Sequence, residues 1–254
     1  MELVAPWLLG YGLASTFGPN RKDRKSPAGE LALLGACVCA VAAVLAASKM
    51  AVATIGVAYA LLIAVAIAVG QGRKRIVLIV GTAIVAVALS VVAMAGPLRG
   101  RLADFAATHS GSVSQSTRGF AWAAALRLAG DYPVTGSGFG ALADVLHAYL
   151  PRGEGGYWGE LHNDFLEVYV AGGLIAVVLV VWLTVTYLAR IWRVVLMDTA
   201  SARLLPTLGI IAGLAALAVH EFVDFNLQIP ANALLFVVMA AMCVSPRARS
   251  VEGP

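Results

Sequence analysis

The chain has 254 residues, of which 60% are hydrophobic and only 13% charged, with a mean hydropathy of +0.86 and a net charge of +4. A soluble domain carries about twice that share of charge, roughly 25%, so a soluble globular protein is excluded. No basic patch with interleaved aromatics accompanies the positive charge, which argues against a nucleic-acid partner.

A membrane span needs about 20 apolar residues to cross about 30 Å of hydrocarbon. Inside hydrocarbon the backbone must satisfy its own hydrogen bonds, so such segments are helices. In chain order the candidates are Leu3–Phe17, which is short, then Leu31–Ala47, Ala51–Gly70, Ile76–Ala95, Phe165–Leu188, Leu205–Phe222 and Ala231–Val244. The expected fold is all-α: a polytopic transmembrane helix bundle of about seven spans, forming a single integral membrane domain over 1–254. The first span starts abruptly and lacks the basic flank of a signal peptide. The chain therefore reads as the C-terminal portion of a longer membrane protein. Cys37, Cys39 and Cys243 fall inside spans and read as small apolar residues, with no zinc-ligand spacing.

Charge sets the expected topology. The links Arg21–Lys25, Arg73–Arg75 and Arg190–Arg203 and the tail Arg247–Arg249 are basic, and they alternate with the other links. Positive links stay in the cytoplasm. The turn at Ser48-Lys49, the loop 97–162 and the turn Asp224–Pro230 then share the opposite, outer face. The long loop holds five arginines and five acids and has no basic bias.

That loop carries structure of its own. Phe120, Trp122, Ala124, Leu126 and Leu128 suggest a short surface helix, stopped at Asp131-Tyr132-Pro133 because proline cannot continue it. The run Gly136–Gly140 follows as a turn in which backbone can approach another group closely. A second short helix is expected over Ala141–Leu150, then a glycine-rich stretch, Pro151–Gly159. The loop ends in Leu161-His162-Asn163-Asp164-Phe165-Leu166-Glu167, a polar cluster at the mouth of a span. Asp164 with Glu167 resembles a capping box, and Asn163 competes for the cap. Gly172-Gly173, further along, reads as a place where helices pack closely.

Taken together, the Arg118…Trp122 pair, Pro133-Val134-Thr135-Gly136-Ser137-Gly138-Phe139-Gly140 and His162-Asn163-Asp164-Phe165-Leu166-Glu167 before a span resemble the O-antigen ligase/O-antigen polymerase superfamily. Ala47-Ser48-Lys49-Met50-Ala51 is similar to the inter-span turn of that family, with lysine where the family has arginine. His220-Glu221-Phe222-Val223-Asp224-Phe225-Asn226-Leu227-Gln228-Ile229-Pro230 is similar to its closing outer turn. The resemblance implies a bacterial inner-membrane glycosyltransferase of cell-surface polysaccharide biosynthesis. Its donor is an undecaprenyl-diphosphate-linked glycan. Its acceptor is another glycan, a lipid A core or a protein. No metal and no cofactor are implied.

The residue types suit those roles. Arginine is permanently charged and grips phosphate oxygens bidentately, so Arg118 is the expected diphosphate ligand. Lys49 joins it as a point charge, and Arg152 is a further candidate contact. Histidine is the side chain whose charge changes near neutral pH, which makes His162 the expected base toward the acceptor hydroxyl. Asn163, Asp164, His220 and Asp224 are expected to support the site; His220, Glu221 and Asp224 read as a structural network. Two other classes stay open. A transporter or flippase for a lipid-linked anionic substrate needs polar residues at broken helices in mid-membrane, and the spans are nearly bare of them. A truncated, non-catalytic membrane scaffold would keep the fold and tolerate loss of His162 and Arg118.

Overall fold

The computed structural model describes residues 1–17, 27–46, 48–68, 113–151, 158–197 and 201–244. The expected span Ile76–Ala95, the basic links around 21–25 and 73–75, and Arg152 lie outside the described residues. So do the side chains of Lys49 and Arg118.

The described residues form helices and turns, with no strand among them. In order these are α1 (Val4–Phe17), α2 (Ala28–Leu45), α3 (Lys49–Ala68), α4 (Val113–Asp131), α5 (Leu142–Val145) running on as a 3-10 turn (Leu146–Tyr149), α6 (Asp164–Met197), α7 (Ser201–His220), a 3-10 turn (Asn226–Gln228) and α8 (Pro230–Val244). Among them, α2, α3 and α6 are long and apolar enough to cross a membrane; α7 and α8 are shorter apolar helices. Their outward faces are bare hydrocarbon. Leu174, Val178, Trp182, Leu183 and Leu188 on α6, and Leu31, Leu34 and Val38 on α2, are all exposed. A water-facing surface does not carry patches of that extent, whereas a lipid-facing one requires them.

Among the described helices, the short first one is central. α1 is wedged between α2 and α7, with Leu3, Ala5, Leu9, Leu13 and Ala14 buried. Its crossing with α7 is close because α7 presents glycines. A side chain at Gly209 would meet the Pro6 carbonyl, and one at Gly213 would meet the Leu3 carbonyl. Small residues let helix backbones approach where no hydrophobic force drives them together. This packing fixes the start of α1, Met1-Glu2, at the end of α7.

The long loop has a small core. On α4 the buried positions are Ala121, Ala124, Ala125, Leu128 and Ala129, the i, i+3, i+4 stripe of an amphipathic helix. By size alone the larger side chains would take that role, but Phe120 and Leu126 face outward. The alanine stripe lets the 3-10 turn and α6 come near, and Leu142, Leu146, Leu161 and Val170 complete the cluster. A fully buried leucine contributes roughly 1.5–3 kcal/mol. Polar ties finish the assembly. Tyr149 donates from its hydroxyl to Asp131 at 2.6 Å, and Arg127 donates to the Tyr149 carbonyl at 2.7 Å.

α6 is broken. Gly173 has φ 60° and ψ −160°, so the expected continuous span Phe165–Leu188 is two helices meeting at a kink. The pair Gly172-Gly173 does not serve helix packing there. It admits the loop. The carbonyls freed on one side of the break accept from Ser137 and Gly138 (to Val170 and Ala171, both 2.9 Å). The N–H groups freed on the other side donate from Leu174 to Pro133 at 2.9 Å and from Ile175 to Val134 at 3.2 Å. A break at membrane depth survives only when such groups are satisfied again. The approach is so close that a Cβ on Gly136 would strike the Ala171 carbonyl, and one on Gly173 the Val134 carbonyl.

Candidate active site

One end of the bundle gathers the start of α1, the α2–α3 turn, the mouth of α6 and the turn after α7. The mouth of α6 is built first from the backbone. Asn163 Oδ1 accepts the Leu166 N–H at 3.0 Å, so Asn163 is the cap and Asp164 is not. Glu167 reaches back to accept the Leu161 N–H at 2.9 Å. The Leu161 carbonyl in turn accepts from the Trp122 indole at 2.7 Å. Leu161 is thus held at both of its backbone groups, and its side chain is fully buried.

His162 follows directly and adopts φ 51°, the one non-glycine positive φ among the described residues. The left-handed region is costly for a residue with a Cβ. The two clamps on Leu161 hold the chain there. The imidazole projects toward the turn after α7, meets the Phe225 ring edge-on at 4.8 Å between centroids, and places Nδ1 3.9 Å from Asp224 Oδ1. That separation is within ion-pair range but too long for a hydrogen bond.

Asp224 serves two histidines. Its other oxygen lies 3.4 Å from His220 Nε2, and His220 Nδ1 is 2.7 Å from Glu2 Oε1. Thr54 on α3 donates to the same Glu2 oxygen at 3.0 Å. Four elements therefore converge on the chain His162–Asp224–His220–Glu2–Thr54. His220 and Asp224 were expected in support; Glu2 and Thr54 were not. The available signal for Glu2 was a lone carboxylate opening an apolar helix, a costly placement without a partner.

Asp164 points away from its own helix. It accepts from Leu227 N–H at 3.2 Å and from the Gln228 amide at 2.9 Å, while its N–H donates to the Glu221 carbonyl at 3.0 Å. It ties α6 to the closing turn. The predicted span Leu205–Phe222 ends at His220, which leaves Glu221 in that turn, 1% exposed. Burial pushes its carboxyl up to about 8, and the neighbouring Asp164 carboxyl adds to the rise. The Asn226 N–H, donating to Glu221 Oε2 at 2.9 Å, works against it.

The three expected diphosphate ligands are not placed side chain by side chain. Lys49 opens α3, next to Ser48, whose hydroxyl accepts the Ala51 N–H at 3.2 Å. Arg118 lies on α4 one turn before Trp122. Arg152 lies outside the described residues. His147 is exposed in the 3-10 turn.

A family model described as O-antigen ligase matches residues 34–181, more than half of the chain. No curated protein and no solved structure matches it.

Proposed function

Because the chain belongs to the O-antigen ligase family, we propose that it transfers a glycan from an undecaprenyl-diphosphate carrier to an acceptor hydroxyl at the outer face of the bacterial inner membrane. The donor's leaving group is already good. The protein's work is to hold the diphosphate, neutralise its growing charge and receive the acceptor's proton. The acceptor O–H bond breaks as its oxygen bonds to the anomeric carbon. The bond from that carbon to the carrier diphosphate breaks with its electrons, and the proton goes to His162.

The observation that supports this most is the strained His162, held in a left-handed conformation beside a carboxylate. Strain of this kind persists only where the surroundings over-determine it, and it clusters at active sites. Asp224 faces the imidazole as the orienting anion, stabilising the imidazolium that forms when the proton arrives, in the manner of the acid behind a catalytic histidine. Arg118 and Lys49 are the proposed diphosphate ligands, with Arg152 a further contact. The break at Gly173 does not favour a transporter. Its freed backbone groups are taken by residues 133–138 rather than left to coordinate a substrate.

The test is a deletion strain complemented with wild-type or His162→Ala protein. Glycans still attached to undecaprenyl carriers are analysed alongside the cell surface. Long unligated chains on the carrier indicate a ligase, and single repeat units a polymerase. General-base contributions are of order 10²–10⁴-fold, so His162→Ala should fail to complement while accumulating at normal levels. Full complementation by His162→Ala would remove the base from the mechanism.

A further inference from the structure

A cavity of about 250 Å³ opens between the start of α1, the α2–α3 turn and the turn leading into α8. Its polar lining is Glu2, Ser48, His220, Asp224, Asn226 and Asn232, and Leu3, Ala51 and Leu217 supply an apolar wall. Two of its side chains are incomplete. Glu2 is 5% exposed, and its Oε1 is taken by His220 and Thr54, yet its Oε2 has no hydrogen-bond partner among the described residues. Asn226 Nδ2 is likewise buried and without a partner within hydrogen-bond geometry among the described residues, although its side chain also lies beside the Glu221 carboxyl and lowers it. One orphan is an acceptor and the other a donor, and both belong to residues lining the same cavity. Buried polar groups are normally satisfied, so such a pair calls for an occupant.

The chemistry of the lining narrows the occupant. An anion such as phosphate would face the carboxylates of Glu2 and Asp224. A metal cation would have to displace His220, which already stands between those carboxylates with one ring nitrogen toward each, and would meet the Asn226 donor. A neutral group with several hydroxyls fits both sides, donating to carboxylates and accepting from amides. Its C–H face would lie on Leu217 and Ala51. The volume falls below the 300–1,000 Å³ typical of drug-sized ligands, which suits a single ring.

We propose that this cavity holds one sugar ring of the acceptor. The assignment rests on the reading of His162 as the base. Asp224 lines the cavity with its carboxylate 3.9 Å from His162, so a ring seated there offers a hydroxyl on the His162 side. Glu2 and Asn226 are then acceptor-binding residues.

Two measurements test it with the full-length protein. In detergent, Ala46→Cys, which lines the cavity, is placed in a background where Cys37, Cys39 and Cys243 are serine, and maleimide labelling is timed. The probes are the methyl glycosides of glucose, galactose and mannose and the 2-acetamido counterparts. At least one should slow labelling fivefold or more, and the near-isosteric Glu2→Gln or Asn226→Ala should abolish that protection without lowering the unfolding temperature. In membranes, the same two variants should raise the acceptor KM tenfold or more and leave the donor KM unchanged, whereas His162→Ala should lower kcat alone. Protection by none of the probes overturns the pocket. A rise in donor KM only overturns the acceptor assignment. Sugar protection in a protein that transfers no glycan supports the pocket and removes the glycosyltransferase reading instead.

Discussion

The Trp122 indole donates to the Leu161 carbonyl at 2.7 Å, across 39 residues of chain, immediately before the left-handed His162. A tryptophan on a surface helix thereby sets the backbone that aims the histidine. Trp122→Phe keeps most of the ring's packing but leaves a carbonyl unpaired, a loss of about 1–3 kcal/mol where that group is buried. The expected result is a fall in kcat of tenfold or more with little change in donor KM. Unchanged kcat in Trp122→Phe would show that His162 is aimed without it.

Arg118→Ala should reduce transfer at least a hundredfold, and Arg118→Lys should recover only part of it, because lysine has no planar fork for two phosphate oxygens. Lys49→Arg should be tolerated or improve the donor KM, since arginine adds the bidentate grip on phosphate that lysine lacks. Donor titration in membranes reads both. Full activity in Lys49→Ala would take Lys49 out of the diphosphate site.

Transfer should survive chelation. A membrane preparation treated with EDTA should keep its initial rate, and added magnesium or manganese should not raise it. A rate lost with chelator and restored by metal would overturn a mechanism that rests on Arg118 and Lys49 as the counter-charges to the diphosphate.

Gly173→Ala should destabilise strongly. Gly173's φ of 60° with ψ of −160° lies in a region open essentially to glycine alone, which costs an alanine about 1–3 kcal/mol, and its methyl would collide with the Val134 carbonyl. Gly130→Ala is the control. It sits in α4 with open space around it, and alanine there should be neutral or stabilising by about 0.5–1 kcal/mol. Unfolding temperatures in detergent should separate the two.

Glu221 carries a raised carboxyl, so the folded state holds a proton that the unfolded chain gives up at about pH 4.3. Its contribution is complete below that pH and is lost as pH rises through about 8. Wild-type unfolding temperature should therefore decline between pH 5 and pH 8. Glu221→Gln, neutral throughout, should flatten that decline while remaining folded at pH 5. A wild-type curve without decline would mean that Glu221 is ionised in the fold.

The helical membrane class was legible because hydropathy reports it directly: α2, α3 and the long stretch of α6 stand where the apolar runs lie. His162, Asp224 and His220 were legible as chemistry-bearing residues at segment ends. What could not be read was pairing at a distance. Glu2 and His220 meet only because Gly209 and Gly213 bring α1 onto α7. The break in α6 depends on loop residues some 35 positions earlier, and no local periodicity records that. The buried stripe of α4 escapes a sequence reading for a related reason. Alanine carries little hydrophobic weight in a sequence, yet it is the residue that lets neighbouring backbone come close.

The pairing of residues 133–138 across the Gly173 gap divides the protein's tolerance for length. Residues 142–149 pack against α4 and do not take part in that pairing, so extra residues inserted beyond them, at Pro151 for example, would leave both the packing and the two ends of the pairing in register. One residue removed between Pro133 and Gly138 would slide the donors past their carbonyls and set a small side chain's space against a large one. Variation in loop length among natural versions of this protein should accordingly pile up after Pro151 and be absent from residues 133–138.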